Sequence, residues 1–252
     1  MTSFKKYIKF QKGNIPLIIS IPHGGTVRLR EIPKRKNGVI GIDKATIELG
    51  KDLITNIEQK IENLKDQTSK CYLIYSKIHR SRIDINREPE KAYNNNSKLA
   101  RKLYSLYHKK LKEFISHSIK HHGYSILLDI HGFESYKRPE GYRDVDIVLG
   151  TNNLKSLSPL SIAKKYRNKN IRGRIIEKFL KLDIPIAPGR PRRDEYILKG
   201  GYITQNYGAS ETEHSKALQI EFSERIRIWD KKLRKSVVNA LTEVLYKEIF
   251  RK

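Results

Sequence analysis

Short apolar runs alternate with stretches of helical period along this chain, and that alternation is what most narrows its fold. Strands and helices taken in turn imply an α/β domain, a sheet covered by helices. Pro16 to Ile21, Cys71 to Ile78, Ser125 to Ile130, Val145 to Gly150 and Ala217 to Ser223 predict strands. The first and third of these are nearly uniform in apolar residues, as strands buried on both faces are. Between about Asp43 and Leu64, Leu49, Leu53, Ile57, Ile61 and Leu64 recur at helical spacing. Further helices are expected over about Ser97 to His121, Ile171 to Leu182 and Asp230 to Phe250, the last with Asp230 as its N-cap. Tyr7 to Phe10 is expected to form an opening hairpin with Pro16 to Ile21, turning at Lys12-Gly13-Asn14. Ile184 to Ile186 is a short strand at most, and residues 187 to 211, rich in Gly, Arg and Tyr, form a long irregular segment.

Two of these strands end in the same way. Leu17 to Ile21 runs into Pro22-His23-Gly24-Gly25, and Leu127-Leu128-Asp129-Ile130 runs into His131-Gly132. Each places one imidazole at the carboxyl edge of a sheet, where open α/β folds bind ligands. Leu218-Gln219-Ile220-Glu221-Phe222 sets a carboxylate in a third apolar run, a costly position unless the group is paired or used. Three polar groups at three strand ends suggest a metal hydrolase. A catalytic zinc takes three ligands from His and carboxylates and keeps one position for water, which implies about one ion per chain. His23 and His131 are the best-placed histidines; His79, His108, His117, His121, His122 and His214 lie on helices, in polar loops or beside arginine.

The third ligand should be a carboxylate near His23, with Asp43 favoured and Glu48 the alternative. Asp129 shares a face with His131 and would orient it, or would instead cap a loop. Glu221 would take a proton from the attacking water and return it to the leaving amine; the competing reading is a salt bridge with Arg225 or Arg227. In His79-Arg80-Ser81-Arg82-Ile83-Asp84-Ile85-Asn86-Arg87 the second half alternates, so Arg82, Asp84 and Asn86 would share one face. Three arginines in eight residues can clamp a carboxylate, with Asp84 holding one guanidinium in place. An exposed edge strand with surface ion pairs is the plainer explanation. The group Arg190 to Tyr196 precedes Gly200-Gly201, whose amides would approach an anion or simply form a turn.

The bulk composition bounds the rest. The chain has 252 residues, enough for one domain over residues 1–252, and 38% hydrophobic content supports one core. The only cysteine, Cys71, excludes an internal disulfide and a thiolate zinc cluster and reads as a buried strand residue. No apolar stretch nears the ~20 residues that span a bilayer, so the expectation is a soluble cytoplasmic protein without a membrane partner. Net charge is +25, from 52 Lys+Arg against 27 Asp+Glu. Such a field attracts a small anionic substrate and admits nucleic acid. The lysines are spread along the chain, however, which favours a solvated basic surface. The sequence leaves the oligomeric state open.

In order, Pro22-His23-Gly24-Gly25, Asp43 with Leu49, Ser81-Arg82-Ile83-Asp84-Ile85-Asn86-Arg87, Asp129-Ile130-His131-Gly132, Gly200-Gly201-Tyr202-Ile203-Thr204 and Gln219-Ile220-Glu221 resemble the N-formylglutamate amidohydrolase family. The resemblance implies a phosphorylase/hydrolase-like αβα fold with a mixed, mostly parallel sheet, shared with zinc carboxypeptidases and N-acetylmuramoyl amidases. It implies zinc at His23, Asp43 and His131, Glu221 as general acid/base, and N-formyl-L-glutamate as the first substrate. The run Asp84-Ile85-Asn86-Arg87 also looks like the Asp-x-Asn-Arg of zinc carboxypeptidases, which gives Asn86 and Arg87 the substrate carboxylate. Arg82 is assigned to a carboxylate or oxyanion contact on the same basis.

Overall fold

The computed structural model describes residues 4–65, 68–137, 144–196 and 198–251. Seven strands form one sheet: β1 (Ile8–Gln11), β2 (Leu17–Ile21), β3 (Tyr72–Ser76), β4 (Ser125–Phe133), β5 (Ile147–Gly150), β6 (Ile186–Ala187) and β7 (Ser215–Ser223), in the order β1-β3-β2-β4-β7-β5-β6. Pairs β2–β3, β2–β4, β4–β7 and β5–β6 are parallel, whereas β1–β3 and β5–β7 are antiparallel. The helices are α1 (Thr46–Lys65), α2 (Pro89–Ala92), α3 (Lys98–His122), α4 (Ile171–Leu180), α5 (Tyr202–Asn206) and α6 (Lys231–Ile249). Apolar residues of α1, α4 and α6 share a core with one face of the sheet, and those of α3 share a second core with the other. This is the mixed, mostly parallel αβα architecture expected. No helix among the described residues is long and apolar enough to cross a membrane.

Local chemistry explains the main boundaries. All five residues of β2 are buried, since neighbours flank it on both edges and helices cover both faces. Helix α3 starts where the Ser97 hydroxyl accepts the Ala100 amide at 3.2 Å, and it stops at Gly123, whose φ of +79° is left-handed. Ser97→Ala is expected to lower stability by about 1 kcal/mol, read as a fall in the thermal midpoint. Asp230 caps α6 as expected, accepting from the Leu233 amide at 2.9 Å.

The opening hairpin does not form. β3 lies between β1 and β2, so β1 pairs antiparallel with β3 and never meets β2. The turn at Asn14 is held instead by the start of β3's segment: Lys70 O accepts the Asn14 amide at 2.8 Å, and Asn14 Oδ1 accepts the Lys70 amide at 2.6 Å. A parallel partner reached by a crossover helix has taken the edge that a hairpin would have used. The segment 187 to 211 is largely irregular, with α5 inside it. It is pinned by Glu195, whose buried carboxylate accepts the Thr151 amide at 2.8 Å and the Asn153 amide at 2.9 Å and lies 3.4 Å from Arg172. This carboxylate, counted with the Arg-rich group in the sequence, is a fastener of that loop.

Candidate metal centre

His23 leaves β2 two residues past its end, and His131 lies within β4, the adjacent strand. Asp43 lies in the loop before α1, where its amide donates to the His23 carbonyl at 3.0 Å and its carbonyl accepts the Thr46 hydroxyl at 2.7 Å. Those bonds bring the carboxylate to the imidazoles, while Glu48 is exposed on α1. The three side chains are buried and form the one cluster among the described residues that could hold a metal ion. His23 Nδ1 and His131 Nδ1 are 3.1 Å apart, and Asp43 Oδ2 lies 3.2 Å from the second and 3.5 Å from the first.

The other nitrogen of each ring fixes its tautomer. His23 Nε2 lies 2.6 Å from Asp84 Oδ1, and His131 Nε2 lies 2.8 Å from Asp129 Oδ2. Each carboxylate takes the Nε2 proton, so both Nδ1 lone pairs face the same point. Three ligand atoms around a tetrahedral ion with bonds of ~2.0–2.1 Å would be about 3.3 Å apart, which is the spacing of this triangle. The donor set fits zinc. Burial raises the Asp43 pKa, but the bonds to His131 and His23 outweigh it and hold the carboxyl below its usual range. Burial also disfavours an imidazolium at His131, yet Asp129, Asp43 and Glu221 raise its pKa well above normal. The carboxylates of Asp43, Asp129 and Glu221 thus favour positive charge at the imidazoles, while Arg80 stands 3.8 Å from Asp43. Asp129 is held in turn by the Ser20 hydroxyl at 2.6 Å.

Glu221 of β7 is the register partner of His131, so both side chains point from the same face. Burial, with Asp43 nearby, raises its pKa, and the Gln219 amide donates to Glu221 Oε1 at 2.8 Å. The alternative salt bridge is absent among the described contacts: Arg225 faces Asp146 and Asp230, and Arg227 faces Glu134. Arg227 is fully buried and donates to the carbonyls of Phe222 and Phe133, each at 2.9 Å, and to that of Lys44. It lies so close to Gly132 that a Cβ there would meet its guanidinium at 2.3 Å. One cation thus joins the ends of β4 and β7 to the loop carrying Asp43. Arg227→Met is expected to cost about 2–4 kcal/mol in denaturant unfolding, because three carbonyls lose their donor.

The arginine-rich stretch differs from expectation. Residues 79–88 form turns and irregular backbone, so strand alternation does not apply. Arg82, read as a carboxylate contact, turns away and donates to the Ile32 carbonyl at 2.6 Å. Arg80 takes the inward place: its Nε donates to Asp84 Oδ2 at 3.0 Å, and its Nη1 lies 3.8 Å from Asp43 Oδ1. Asp84 does hold guanidinium groups, with Arg35 at 3.4 Å and Arg87 at 3.6 Å in addition to Arg80, and it also orients His23. Arg87 is half exposed and lines a neighbouring basic cavity with Lys34, Arg35, Lys36 and Lys91.

Asn86 and Gly201 also change roles. Asn86 Oδ1 accepts the Ile203 amide at 2.7 Å, and Asn86 Nδ2 lies 3.1 Å from His131 Nε2 and 3.5 Å from Gln219 Oε1. The Gly201 amide, expected to reach an anion, donates to Gln219 Oε1 at 2.6 Å. A Cβ on Gly201 would meet the Asn86 amide at 2.3 Å, and Gly200 has a φ of +94°. The glycine pair therefore serves close packing and backbone conformation. Gln219, Arg80 and Arg35 are the side chains that sequence reasoning missed; the alternation of polar Gln219 and Glu221 in β7 was the one available signal. A cleft of about 570 Å³ opens over Asp43, Arg80 and Glu221.

A mostly parallel αβα sheet carries this cluster at its carboxyl edge, and a family match identifies the class as that of the amidohydrolases. The N-formylglutamate amidohydrolase family model matches residues 93–226, just over half of the 252 residues, and the chain belongs to that family. The match includes Asp129, His131 and Glu221; His23, Asp43 and Asp84 precede it. The crystal structure of N-formylglutamate amidohydrolase from Ralstonia eutropha JMP134 is similar to it, with a TM-score of 0.63 at 14% identity, covering 97% of this chain and 98% of that one. A gene product of Agrobacterium tumefaciens is similar with a TM-score of 0.65 at 13% identity, covering 98% of each chain. None of the curated proteins matches.

Proposed function

We propose that this chain is a zinc-dependent amidohydrolase that cleaves the C–N bond of an N-formyl or N-acyl amino acid. N-formyl-L-glutamate, yielding formate and glutamate, is the first substrate to test. The observation that carries this reading is the triangle of two Nδ1 atoms and one carboxylate oxygen, each imidazole backed by its own carboxylate. Zinc at His23, Asp43 and His131 would polarise the amide carbonyl and lower the pKa of water.

The chain's own groups supply the rest. Glu221, beside His131, takes a proton from the attacking water and delivers it to the amide nitrogen as the C–N bond breaks. Its raised pKa makes it a better proton acceptor than an ordinary surface carboxylate. Arg80, fixed by Asp84, faces the cleft and is placed to meet negative charge on the carbonyl oxygen. Arg87 lies on the flank beyond Asp84 and is assigned the substrate carboxylate. Asn86 and Gln219 act through others: Gln219 orients Glu221 and holds the Gly201 amide, and Asn86 holds the Ile203 amide beside His131.

Metal analysis of the purified chain by mass spectrometry should find about one zinc per chain. Amine release from N-formyl- and N-acyl-L-glutamate should stop on chelation and return with zinc. Turnover that persists in the metal-free protein would overturn the proposal.

A further inference from the structure

We infer that the substrate's acyl group is an apolar chain several carbons long, held beside Glu221, in preference to formyl. This inference rests on the amidohydrolase activity proposed above and chooses among its substrates. The register sets out a row of side chains across the carboxyl end of the sheet. His131 pairs with Glu221, Glu221 with Val148, and Val148 with Ala187. Neighbouring strands are ~4.8 Å apart, so Val148 stands one strand beyond the proposed proton carrier and Ala187 two.

Val145, Val148 and Ala187 form an apolar cluster separate from the two main cores, with Phe133 and Leu198 packed against it. Phe133, Val148 and Leu198 also line the cleft, joined by Val39, Ile42 and Tyr136. Val39 and Tyr136 are 55% and 74% exposed, an apolar rim at the mouth. Of the three cations lining the cleft, Arg80 is held by Asp84, Lys137 pairs with Glu134 at 3.1 Å at the exposed rim, and Lys44 is exposed at the side that carries Asp43. At the opposite end of the row, beyond His23, stand Asp84 and the guanidiniums of Arg35 and Arg87.

The two ends therefore differ in kind. A linear N-acyl amino acid lying across the triad would set its carboxylate toward Arg87 and its acyl chain on Val148, Phe133 and Leu198. Formyl carries only hydrogen on its carbonyl carbon and would leave the partly exposed Phe133 and Leu198, which lie over the buried Val148, open to water, whereas each methylene placed on them gains contact. Hydrolysis adds water across the C–N bond, releasing a short fatty acid and the free amino acid.

The test uses the zinc-loaded full chain and compares kcat/KM for N-formyl-, N-acetyl- and N-hexanoyl-L-glutamate and for N-formyl-L-phenylalanine. Hexanoyl is expected to exceed acetyl by at least about 10-fold. In Leu198→Gln that ratio should fall by a similar factor, and the wild-type series stands even if the variant folds poorly. A flat or declining series, or a preference for formyl, would overturn the inference while leaving the amidohydrolase proposal standing. Fastest turnover of N-formyl-L-phenylalanine would move the apolar group to the amino-acid side and overturn the acyl assignment. No turnover of any member would overturn both.

Discussion

Replacing Glu221 with glutamine is expected to lower kcat by about 10²- to 10⁴-fold, the range that general acid–base catalysis contributes, with zinc still near one per chain. The exchange keeps the size and the hydrogen-bonding shape of the side chain. Gln219 can still donate to its oxygen, so the Gly201 loop keeps its anchor. On the proposed mechanism, what is lost is a site for the proton in transit between water and the leaving amine. Glu221 is not among the three residues of the metal cluster, so a drop in activity accompanied by loss of metal would mean that it acts as a ligand. Wild-type turnover by the zinc-loaded variant would remove Glu221 from the mechanism altogether. A fall in kcat with metal content and substrate affinity unchanged is the signature of a group that works mainly in the transition state.

The elements that were legible in the sequence are those whose signal is local. α3 has a capping serine, a continuous apolar stripe and a left-handed glycine stop, and β2 is apolar throughout. His23 and His131 were legible for the same reason, since a strand that ends in His-Gly fixes where the imidazole emerges. Pairing was not legible for β1, because the identity of a strand's neighbour depends on the long crossover from β2 to β3, residues 22–71. The choice of Asp43 over Glu48 turns on an amide-to-carbonyl bond between Asp43 and His23, which no spacing rule encodes. Arg80 and Arg82 are equivalent in composition, and the alternation that favoured Arg82 holds only for an extended strand. In this loop the backbone turns, Arg80 points inward and Arg82 reaches the Ile32 carbonyl. Gln219 and Asn86 look like ordinary polar residues until the loop of 187 to 211 is seen returning its amides to them.

His131→Ala is expected to abolish tight zinc binding, with affinity falling by more than the ~10- to 100-fold attached to residues that merely orient ligands. Asp129→Asn and Asp84→Asn provide that smaller loss as the internal comparison, since each leaves both Nδ1 ligands in place and weakens the partner of an Nε2 proton; Asp84→Asn also loosens Arg80, Arg35 and Arg87, so Asp129→Asn is the cleaner of the two. The measurement is zinc competition against a chelator, paired with thermal unfolding with and without the metal. An ion that binds only the folded chain adds stability in proportion to the logarithm of its concentration, about 2.7 kcal/mol at 100 times the dissociation constant. The wild type should gain that increment, the two aspartate variants part of it, and His131→Ala none. Removing the imidazole also uncovers Asp43 and Asp129, both buried beside it, so the metal-free variant should unfold earlier than the metal-free wild type. The two effects separate cleanly, because only the first depends on zinc concentration. A His131→Ala protein that binds zinc as the wild type does would show that Nδ1 of His131 is no ligand, and the triangle would then be a hydrogen-bonded cluster.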